Sequence, residues 1–172
     1  MSKKKYKLTD ETITYKGKVL RRIEALKDFA DVKKGDKGGY VKSEKNLSQI
    51  GKCWVYNNAK VYENAKVCDN AIVYDRAEVY ENSIVCSDAK VCGYATIFGN
   101  AVIADKCDYI VFKNWWSSGR HFTWTKSNNM WSVGCFYGTG KELIEKSYED
   151  SELSEKEYER VVKYVESIIK EY

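Results

Sequence analysis

Residues 60–91 read KVYENAKVCDNAIVYDRAEVYENSIVCSDAKV, and one six-residue unit recurs along the whole stretch. Aligned from Val55, nine consecutive hexads run to Asp108, with Val or Ile at the first position and Ala, Ser or Cys at the fifth in all nine. A helix repeats every 3.6 residues and a strand alternates without interruption, so neither produces a fixed period of six. The pattern is typical of a solenoid in which each unit contributes a short strand and a turn.

The residue types at each hexad position suit that geometry. A branched Val or Ile facing inward supplies the core, and a small fifth residue fits a narrow inside corner. Asparagine stands at the fourth position of five hexads, at residues 58, 64, 70, 82 and 100. Because asparagine tolerates the left-handed backbone of a tight turn, we expect the fourth position to form the corner.

A step of 18 residues sorts the second hexad position into three columns. Two columns carry rings and the third is small: Tyr56, Tyr74 and Cys92; Tyr62, Tyr80 and Phe98; Cys68, Cys86 and Ala104. Asn64, Asn82 and Asn100 recur at the same interval, which predicts an amide ladder. The sorting indicates three hexads per coil, hence about three coils, and the smooth third side would allow another surface to come close.

The segment before the hexads carries a more specific pattern. Its residues are Leu20, Arg22, Ile23, Ala25, Asp28, Phe29, Val32, Gly35, Gly38, Gly39, Tyr40, Glu44, Asn46, Leu47, Ser48, Gly51, Trp54 and Val55. This run resembles the N-terminal cap of a hexapeptide-repeat family that is frequent in temperate phages and prophages and includes enterobacterial proteins labelled acyltransferases. The resemblance covers residues 5–107. It implies a left-handed parallel β-helix and a homotrimer packed around its prisms; the alternative is a monomer whose own C-terminal helix covers the smooth side.

The chain divides into three regions: an N-terminal β cap (1–54), the hexad β-helix (55–108) and a C-terminal subdomain (109–172). The last region reads as a three-stranded antiparallel meander followed by two helices. Thr139 with Glu142, and Ser154 with Glu157, each form a capping-box pattern. One apolar stripe on the last helix must pack against something: Tyr158, Val161, Val162, Val165, Ile168, Ile169 and Tyr172. The predicted fold class is therefore mainly β.

Composition excludes several classes of function. A net charge of +4 argues against binding of long nucleic acid, and no apolar run indicates a signal peptide or membrane span. Six cysteines without a CxxC pair are predicted to be structural thiols rather than disulfides or metal ligands. We expect a protein of the cytoplasm, the host cytoplasm if phage-encoded, without cofactor, metal or membrane contact.

Catalysis finds little support in the sequence. Hexapeptide acyltransferases use a histidine base in a subunit cleft with coenzyme A along the coils, whereas the single histidine, His121, lies outside the hexads. The segment 134–142 is similar to a phosphate-binding loop, but its spacing is one residue too long and Glu142 replaces the magnesium-binding hydroxyl. Lys141 and the glycines before it offer N–H groups and a cation to an anion, but we favour an ordinary helix cap as the explanation of this pattern.

A binding function is favoured by the segment from Tyr109 to Lys141, which holds four of the five tryptophans and no acidic residue. Rings beside cations suit nucleobases and phosphates. The candidate ligand-binding residues are Trp115, Trp116, Arg120, His121, Trp124, Lys126 and Lys141. Trp124, with Phe122 and Trp131, could instead form a core. We predict a non-catalytic trimer that sequesters a small nucleotide-like phosphorylated ligand. The alternatives are a coenzyme A-dependent acyltransferase and a scaffold or protein-blocking inhibitor without ligand.

Overall fold

The structure, a computed structural model, describes residues 4–148 and 151–171. The chain begins with three cap strands, β1 (Tyr6–Tyr15), β2 (Lys18–Ala25) and β3 (Lys37–Val41). Lys16 and Gly17 both have positive φ, 47° and 72°, as a two-residue hairpin between β1 and β2 requires. β2 pairs with both neighbours in antiparallel fashion.

Nine two-residue strands follow, one for each hexad. They are β4 (Trp54–Val55), β5 (Lys60–Val61), β6 (Lys66–Val67), β7 (Ile72–Val73), β8 (Glu78–Val79), β9 (Ile84–Val85), β10 (Lys90–Val91), β11 (Thr96–Ile97) and β12 (Val102–Ile103). They form three parallel sheets, β4-β7-β10, β5-β8-β11 and β6-β9-β12. Val61 pairs with Val79 and Val79 with Ile97, so residues 18 apart lie in register. The predicted three-hexad coil is confirmed.

The solenoid has about four turns rather than the predicted three, because the cap supplies the first. Val41 pairs in parallel with Val61, and Leu47 forms a parallel bridge with Val67. Both spacings are 20 residues, two more than the 18-residue coil, so this first turn lies outside the hexad alignment and could not be recognised from it. β1, β2 and β3 thereby extend one face of the solenoid into a six-stranded sheet. The left-handed winding stays a prediction from the resemblance.

The hexad core has the predicted arrangement. All nine first-position side chains are buried, and so are the fifth-position residues of the first eight hexads. Burying an aliphatic side chain of this size contributes about 1.5–3 kcal/mol, so this column of Val and Ile drives folding of the solenoid. The ninth hexad departs from the pattern, since Cys107 is exposed where the last coil ends.

The left-handed corner residue is the third of each of the first eight hexads, not the fourth as the asparagines suggested. Positive φ angles occur at residues 57, 63, 69, 75, 81, 87, 93 and 99. The acidic members of this set accept hydrogen bonds from the coil above: Glu63 Oε2 from the Glu81 N–H (3.0 Å) and Asp75 Oδ2 from the Gly93 N–H (3.1 Å). Carboxylates at the third position therefore link successive coils while the backbone adopts an unfavourable conformation.

This arrangement predicts the effect of changing Asp75. Asp75→Ala removes the acceptor of the Gly93 N–H and is expected to lower the free energy of unfolding by about 1 kcal/mol. Asp75→Asn keeps an amide oxygen in the same place and should cost less than about 0.5 kcal/mol. Urea denaturation of both variants measures the difference, and equal losses would show that the carboxylate–backbone bond contributes nothing.

Two pairs of fourth-position side chains hydrogen-bond between successive coils, and one of them is a step of the predicted amide ladder. Asn64 Nδ2 donates to Asn82 Oδ1 at 3.1 Å, and Asn70 Nδ2 donates to Asp88 Oδ1 at 3.1 Å. Their role is thus side-chain pairing along the solenoid axis, with the backbone strain placed one residue earlier.

One ring column is a structural stack rather than a free surface. Tyr62 and Tyr80 lie 4.9 Å apart between ring centroids, and Tyr80 and Phe98 lie 4.8 Å apart, in both cases nearly parallel. The β1–β2 hairpin covers the column, with Tyr15 edge-on to Tyr62 and Lys16 Nζ 5.0 Å from the Tyr80 ring centre. Tyr62 is consequently buried.

The meander has four strands instead of three: β13 (Tyr109–Lys113), β14 (His121–Thr125), β15 (Met130–Val133) and β16 (Phe136–Gly138). The additional strand arises from a tight turn at Gly134, where φ is 58°, which separates β15 from β16. Val133 and Phe136 pair directly across this turn. All neighbouring strands are antiparallel.

The meander covers the C-terminal end of the solenoid with its side chains. Thr123 Oγ1 accepts a hydrogen bond from the Thr96 N–H (3.0 Å), and Ser127 Oγ accepts one from the Val102 N–H (2.8 Å). Asp108 Oδ2 accepts from the backbone N–H of Ala104 (2.8 Å). An uncovered last coil would present unpaired strand edges, and these contacts remove that liability.

The two helices pack on the other face of the meander. α1 (Gly140–Ser147) begins with the predicted Thr139–Glu142 capping box. α2 (Glu152–Glu171) starts three residues earlier than expected, because Ser151 Oγ, not Ser154, accepts the capping bond from the Ser154 N–H (3.1 Å).

The buried part of the α2 stripe, Tyr158, Val162 and Val165, lies in one cluster with Phe122, Trp124, Trp131, Val133 and Leu143. The helix therefore covers the meander, which is what its apolar stripe packs against. Tyr172 lies outside the described residues. Across 4–148 and 151–171, no helix has both the length and the hydropathy needed to cross a bilayer.

Candidate ligand-binding cleft

The structure does not bring the seven predicted site residues into one surface. Strand β14 separates them, since alternate residues of a strand point to opposite faces of the sheet. Trp124 lies on the helix face with Phe122, whereas His121 and Thr123 lie on the face toward the solenoid. The predicted residues therefore belong to several different places.

Trp115 and Trp116 lie in the loop between β13 and β14. Trp115 is 75% exposed, and its ring meets Trp116 edge-on at 6.1 Å. Trp116 packs on Tyr158 and Phe122 of the helix-side cluster. Its buried Nε1 donates to no described residue. Trp115 is thus a free contact surface, while Trp116 supports it from the core.

Trp124 and Lys126 line a separate pocket on the helix side, and Lys141 stands apart from both. Trp124 is buried and its Nε1 donates to Asn129 Oδ1 at 2.9 Å. Lys141 lies in the first turn of α1 with its side chain 87% exposed and forms a long ion pair with Glu145 at 3.8 Å. The residues before Lys141 form an ordinary helix cap, because Thr139 and Glu142 satisfy the first N–H groups of α1.

Arg120 and His121 do share a cleft, of about 370 Å³, between the solenoid and the meander. We call it the meander cleft. It receives residues from the β1–β2 hairpin, two coils and two meander turns: Lys16, Arg76, Glu78, Tyr94, Thr96, Arg120, His121, Gly134 and Cys135. All three regions of the chain therefore contribute to it.

A column of planar groups forms one wall of the meander cleft. Arg76 and Tyr94 occupy the fourth hexad position of successive coils, and the Arg76 guanidinium lies 5.6 Å from the Tyr94 ring centre. His121 stacks on Tyr94 with centroids 4.4 Å apart and planes 6° from parallel. Tyr94 remains 49% exposed, so the stack keeps an accessible aromatic surface.

The charge of the meander cleft is predominantly positive. Glu78 is the only carboxylate among the described residues that line it, and this group already accepts hydrogen bonds from Lys16 Nζ (3.0 Å), Tyr62 (3.2 Å) and Tyr15. Neither Arg76 nor Arg120 forms an ion pair with a residue in 4–148 or 151–171. Two guanidinium groups therefore have their donors available to an anion.

His121 is set to be neutral at physiological pH. Burial lowers its pKa first, and the nearby Lys113 ammonium lowers it further. Lys113 lies directly opposite His121 in the β13–β14 pair. Protonated imidazole would add charge to an already cationic region, so the ring acts here as a flat, uncharged stacking partner.

The sequence analysis missed Lys16, Arg76, Glu78 and Tyr94. A signal for two of them was available, because the 18-residue columns of the fourth position differ in composition. One column is all asparagine, at residues 64, 82 and 100, while the column of Asn58 continues with Arg76 and Tyr94. At the corner of Asn58, the change from asparagine to Arg76 and Tyr94 breaks the amide ladder. This break marks the two positions as candidates for another role. Lys16 and Glu78 gave no such signal.

Comparison with curated proteins gives a partial similarity. The chain is 37% identical over 62 residues to a protein described as "Uncharacterized acetyltransferase YdcK" from Escherichia coli (strain K12). The match covers 31% of this chain and 19% of that protein, about a fifth of the relative's length. Together with the solenoid, this similarity fits a hexapeptide-repeat family. No protein-family profile matches the chain.

Proposed function

We propose that this chain is a non-catalytic homotrimer that binds and sequesters a small nucleotide-like phosphorylated ligand in the meander cleft. The observation that carries the proposal is the presence of Arg76 and Arg120 at one cleft, both without a carboxylate partner among the described residues. A guanidinium presents paired N–H donors that match phosphate oxygens. Tyr94 beside them offers an aromatic surface for a base or another flat group.

The size of the meander cleft supports a small ligand rather than a polymer. Its volume of about 370 Å³ lies within the range of small-molecule sites. The net charge of the whole chain is only +4, which gives weak long-range attraction for nucleic acid. A compact anion bound by two arginines needs no extended basic surface.

The smooth third side of the solenoid supports the proposed trimer. Cys68, Cys86 and Ala104 project little from this side, and Ile84 and Val102 are the outward residues of the adjacent strands. The apolar stripe of α2 packs on the meander. This packing favours the trimer over the alternative monomer, in which that helix would cover the smooth side of the solenoid. The resemblance to phage and prophage proteins supports the proposed setting, a sponge in the host cytoplasm that removes a nucleotide messenger of host defence.

Calorimetric titration tests the binding proposal, with cyclic nucleotides, ADP-ribose compounds and coenzyme A derivatives as probes. Arg76→Ala and Arg120→Ala should each weaken binding roughly tenfold or more, the loss expected for a charge-assisted hydrogen bond. Lys141→Ala is the matched control: it removes a cation of the same acid-free segment that lies outside the meander cleft, and should leave affinity unchanged. Native mass spectrometry of the same samples should show three chains with up to three ligands.

Two results would contradict this proposal. If none of these probes binds, the scaffold or inhibitor alternative is favoured. If Lys141→Ala weakens binding as much as Arg120→Ala, the ligand does not lie in the meander cleft.

Acetyl transfer is the second candidate function, supported by the name of the partial relative and by the neutral imidazole of His121. A general base must accept a proton from the acceptor it reaches, and His121 lines a cleft with its pKa held below the ordinary value by burial and by Lys113. Turnover of acetyl-coenzyme A that disappears in His121→Ala would favour this function over sequestration.

A further inference from the structure

A second cavity, distinct from the meander cleft, lies where α2 ends above the last coil. Its volume is about 550 Å³, and it is enclosed between the solenoid end, the first two meander strands and the helix. We call it the α2 pocket. Its lining residues are Lys106, Cys107, Tyr109, Ile110, Trp124, Lys126, Ile168 and Ile169. The α2 pocket and the meander cleft share no lining residue. They lie on opposite faces of β14, to which Trp124 and His121 respectively belong.

The two aromatic residues of the α2 pocket have their polar atoms engaged elsewhere. Tyr109 Oη donates to the Lys90 carbonyl oxygen at 3.0 Å and accepts from the Cys92 N–H at 3.3 Å. Trp124 Nε1 donates to Asn129 Oδ1 at 2.9 Å. Neither ring therefore adds a polar requirement to whatever occupies the cavity.

The apolar stripe of α2 continues past its own packing partners. Val165 is buried in the helix-side cluster, but one turn later Ile168 is half-buried and Ile169 is 37% exposed. These two side chains form the helical wall of the cavity. An apolar occupant would cover surface that the fold itself leaves uncovered.

Charge in the α2 pocket comes from two ammonium groups. Lys106 and Lys126 line it without any carboxylate, and neither forms an ion pair with a residue in 4–148 or 151–171. The nearest acids along the chain are already engaged, since Asp105 Oδ1 accepts from the Cys107 N–H (3.0 Å) and Asp108 Oδ2 from the Ala104 and Asp105 N–H groups (2.8 Å each). An anionic head group would find two cations here, of which Lys106 also interacts electrostatically with the Asp105 carboxylate.

From these contacts we infer that the α2 pocket binds a small amphipathic carboxylate, with a single alkyl chain among the isoleucines and Trp124 and its head group at Lys106 and Lys126. The lining fits this chemistry because, among the described residues, it combines apolar walls with two cations and no acid. The volume lies within the range of pockets that enclose a small molecule. This site is independent of the proposed function, since the ligand class and the residues differ.

Calorimetry with decanoate, kept below its micellar concentration, tests the inference on the full-length protein. Saturable binding is expected, with decanol binding at least tenfold more weakly because it lacks the charge. The double variant Lys106→Ala/Lys126→Ala should lower decanoate affinity at least tenfold and leave decanol unaffected. Lys163→Ala is the matched control, because this lysine lies on the exposed side of α2, paired with Glu159 at 2.6 Å, and should change nothing.

A second variant separates occupation of the cavity from surface charge. Ile168→Trp places an indole ring in the apolar part of the cavity and should weaken binding of both decanoate and decanol, while its thermal midpoint stays within a few degrees of wild type. Absence of saturable decanoate binding, or undiminished binding in Ile168→Trp, would overturn the inference. So would binding to anionic vesicles without binding to free decanoate, since the occupant would then be a lipid surface.

Discussion

Gly51→Ala is expected to lower the free energy of unfolding by about 3–5 kcal/mol, the larger of the two major stability effects that this structure predicts. A Cβ at Gly51 would lie 2.2 Å from the Asp69 carbonyl oxygen, and that oxygen belongs to the backbone. The same oxygen accepts the hydrogen bond of the Cys53 N–H at 2.9 Å. Relief of the clash therefore requires the first two turns of the solenoid to separate.

Gly93→Ala is the matched control for this substitution. Both glycines have positive φ, 76° at Gly51 and 65° at Gly93, but a Cβ at Gly93 meets no atom within 4 Å. Its loss should be about 1 kcal/mol, the ordinary cost of a left-handed non-glycine residue. Urea denaturation with far-UV circular dichroism measures both variants, and similar losses would show that the contact with Asp69 is relieved without cost.

Ala77→Leu should lower the free energy of unfolding by about 3 kcal/mol, because it overpacks an inside corner of the solenoid. Ala77 is fully buried, and Ala59 and Ala95, at the same corner one coil away on either side, are fully buried as well. Three additional carbon atoms have no direction in which to extend, since the coils above and below are joined by backbone hydrogen bonds such as Lys60 N–H to the Ala77 carbonyl oxygen (3.0 Å).

Ser83→Ala, at another corner of the same kind, is the control for volume. Ser83 is fully buried and its hydroxyl donates to the Tyr80 carbonyl oxygen at 2.7 Å. Losing this bond should cost about 1 kcal/mol, without any steric effect. An Ala77→Leu variant as stable as Ser83→Ala would mean that the inside corner has room for a larger side chain, which contradicts the prediction.

The candidate site was harder to predict than the fold. Arg120 and His121 line one cleft, but Trp124, three residues beyond His121, faces the opposite side of the same strand. Composition identifies an aromatic and cationic segment without stating which face each ring takes. The face that each ring takes could not be predicted because β14 is packed on both sides, by the solenoid and by the helices. Its residues therefore do not alternate between polar and apolar types as those of a half-exposed strand do.

Other corrections share a cause in long-range contacts. The first solenoid turn pairs at a spacing of 20 residues, and Lys16 reaches Glu78 across 62 positions of sequence. Neither contact produces a period that local reading can detect. The third-position corner was also missed, because asparagine at the fourth position suggested strain where the structure has side-chain pairing.

The amino-acid sequence by itself determined the 18-residue coil, because each hexad must place a branched residue inward and a small one in a corner, and that requirement repeats locally. Only the tertiary structure decided which residues form the meander cleft and the α2 pocket. Both cavities arise where the solenoid, the hairpin, the meander and α2 meet, and the residues that line them come from segments with different periods. Local sequence specifies a repeating core, whereas a cavity between unlike elements depends on how their ends are packed together.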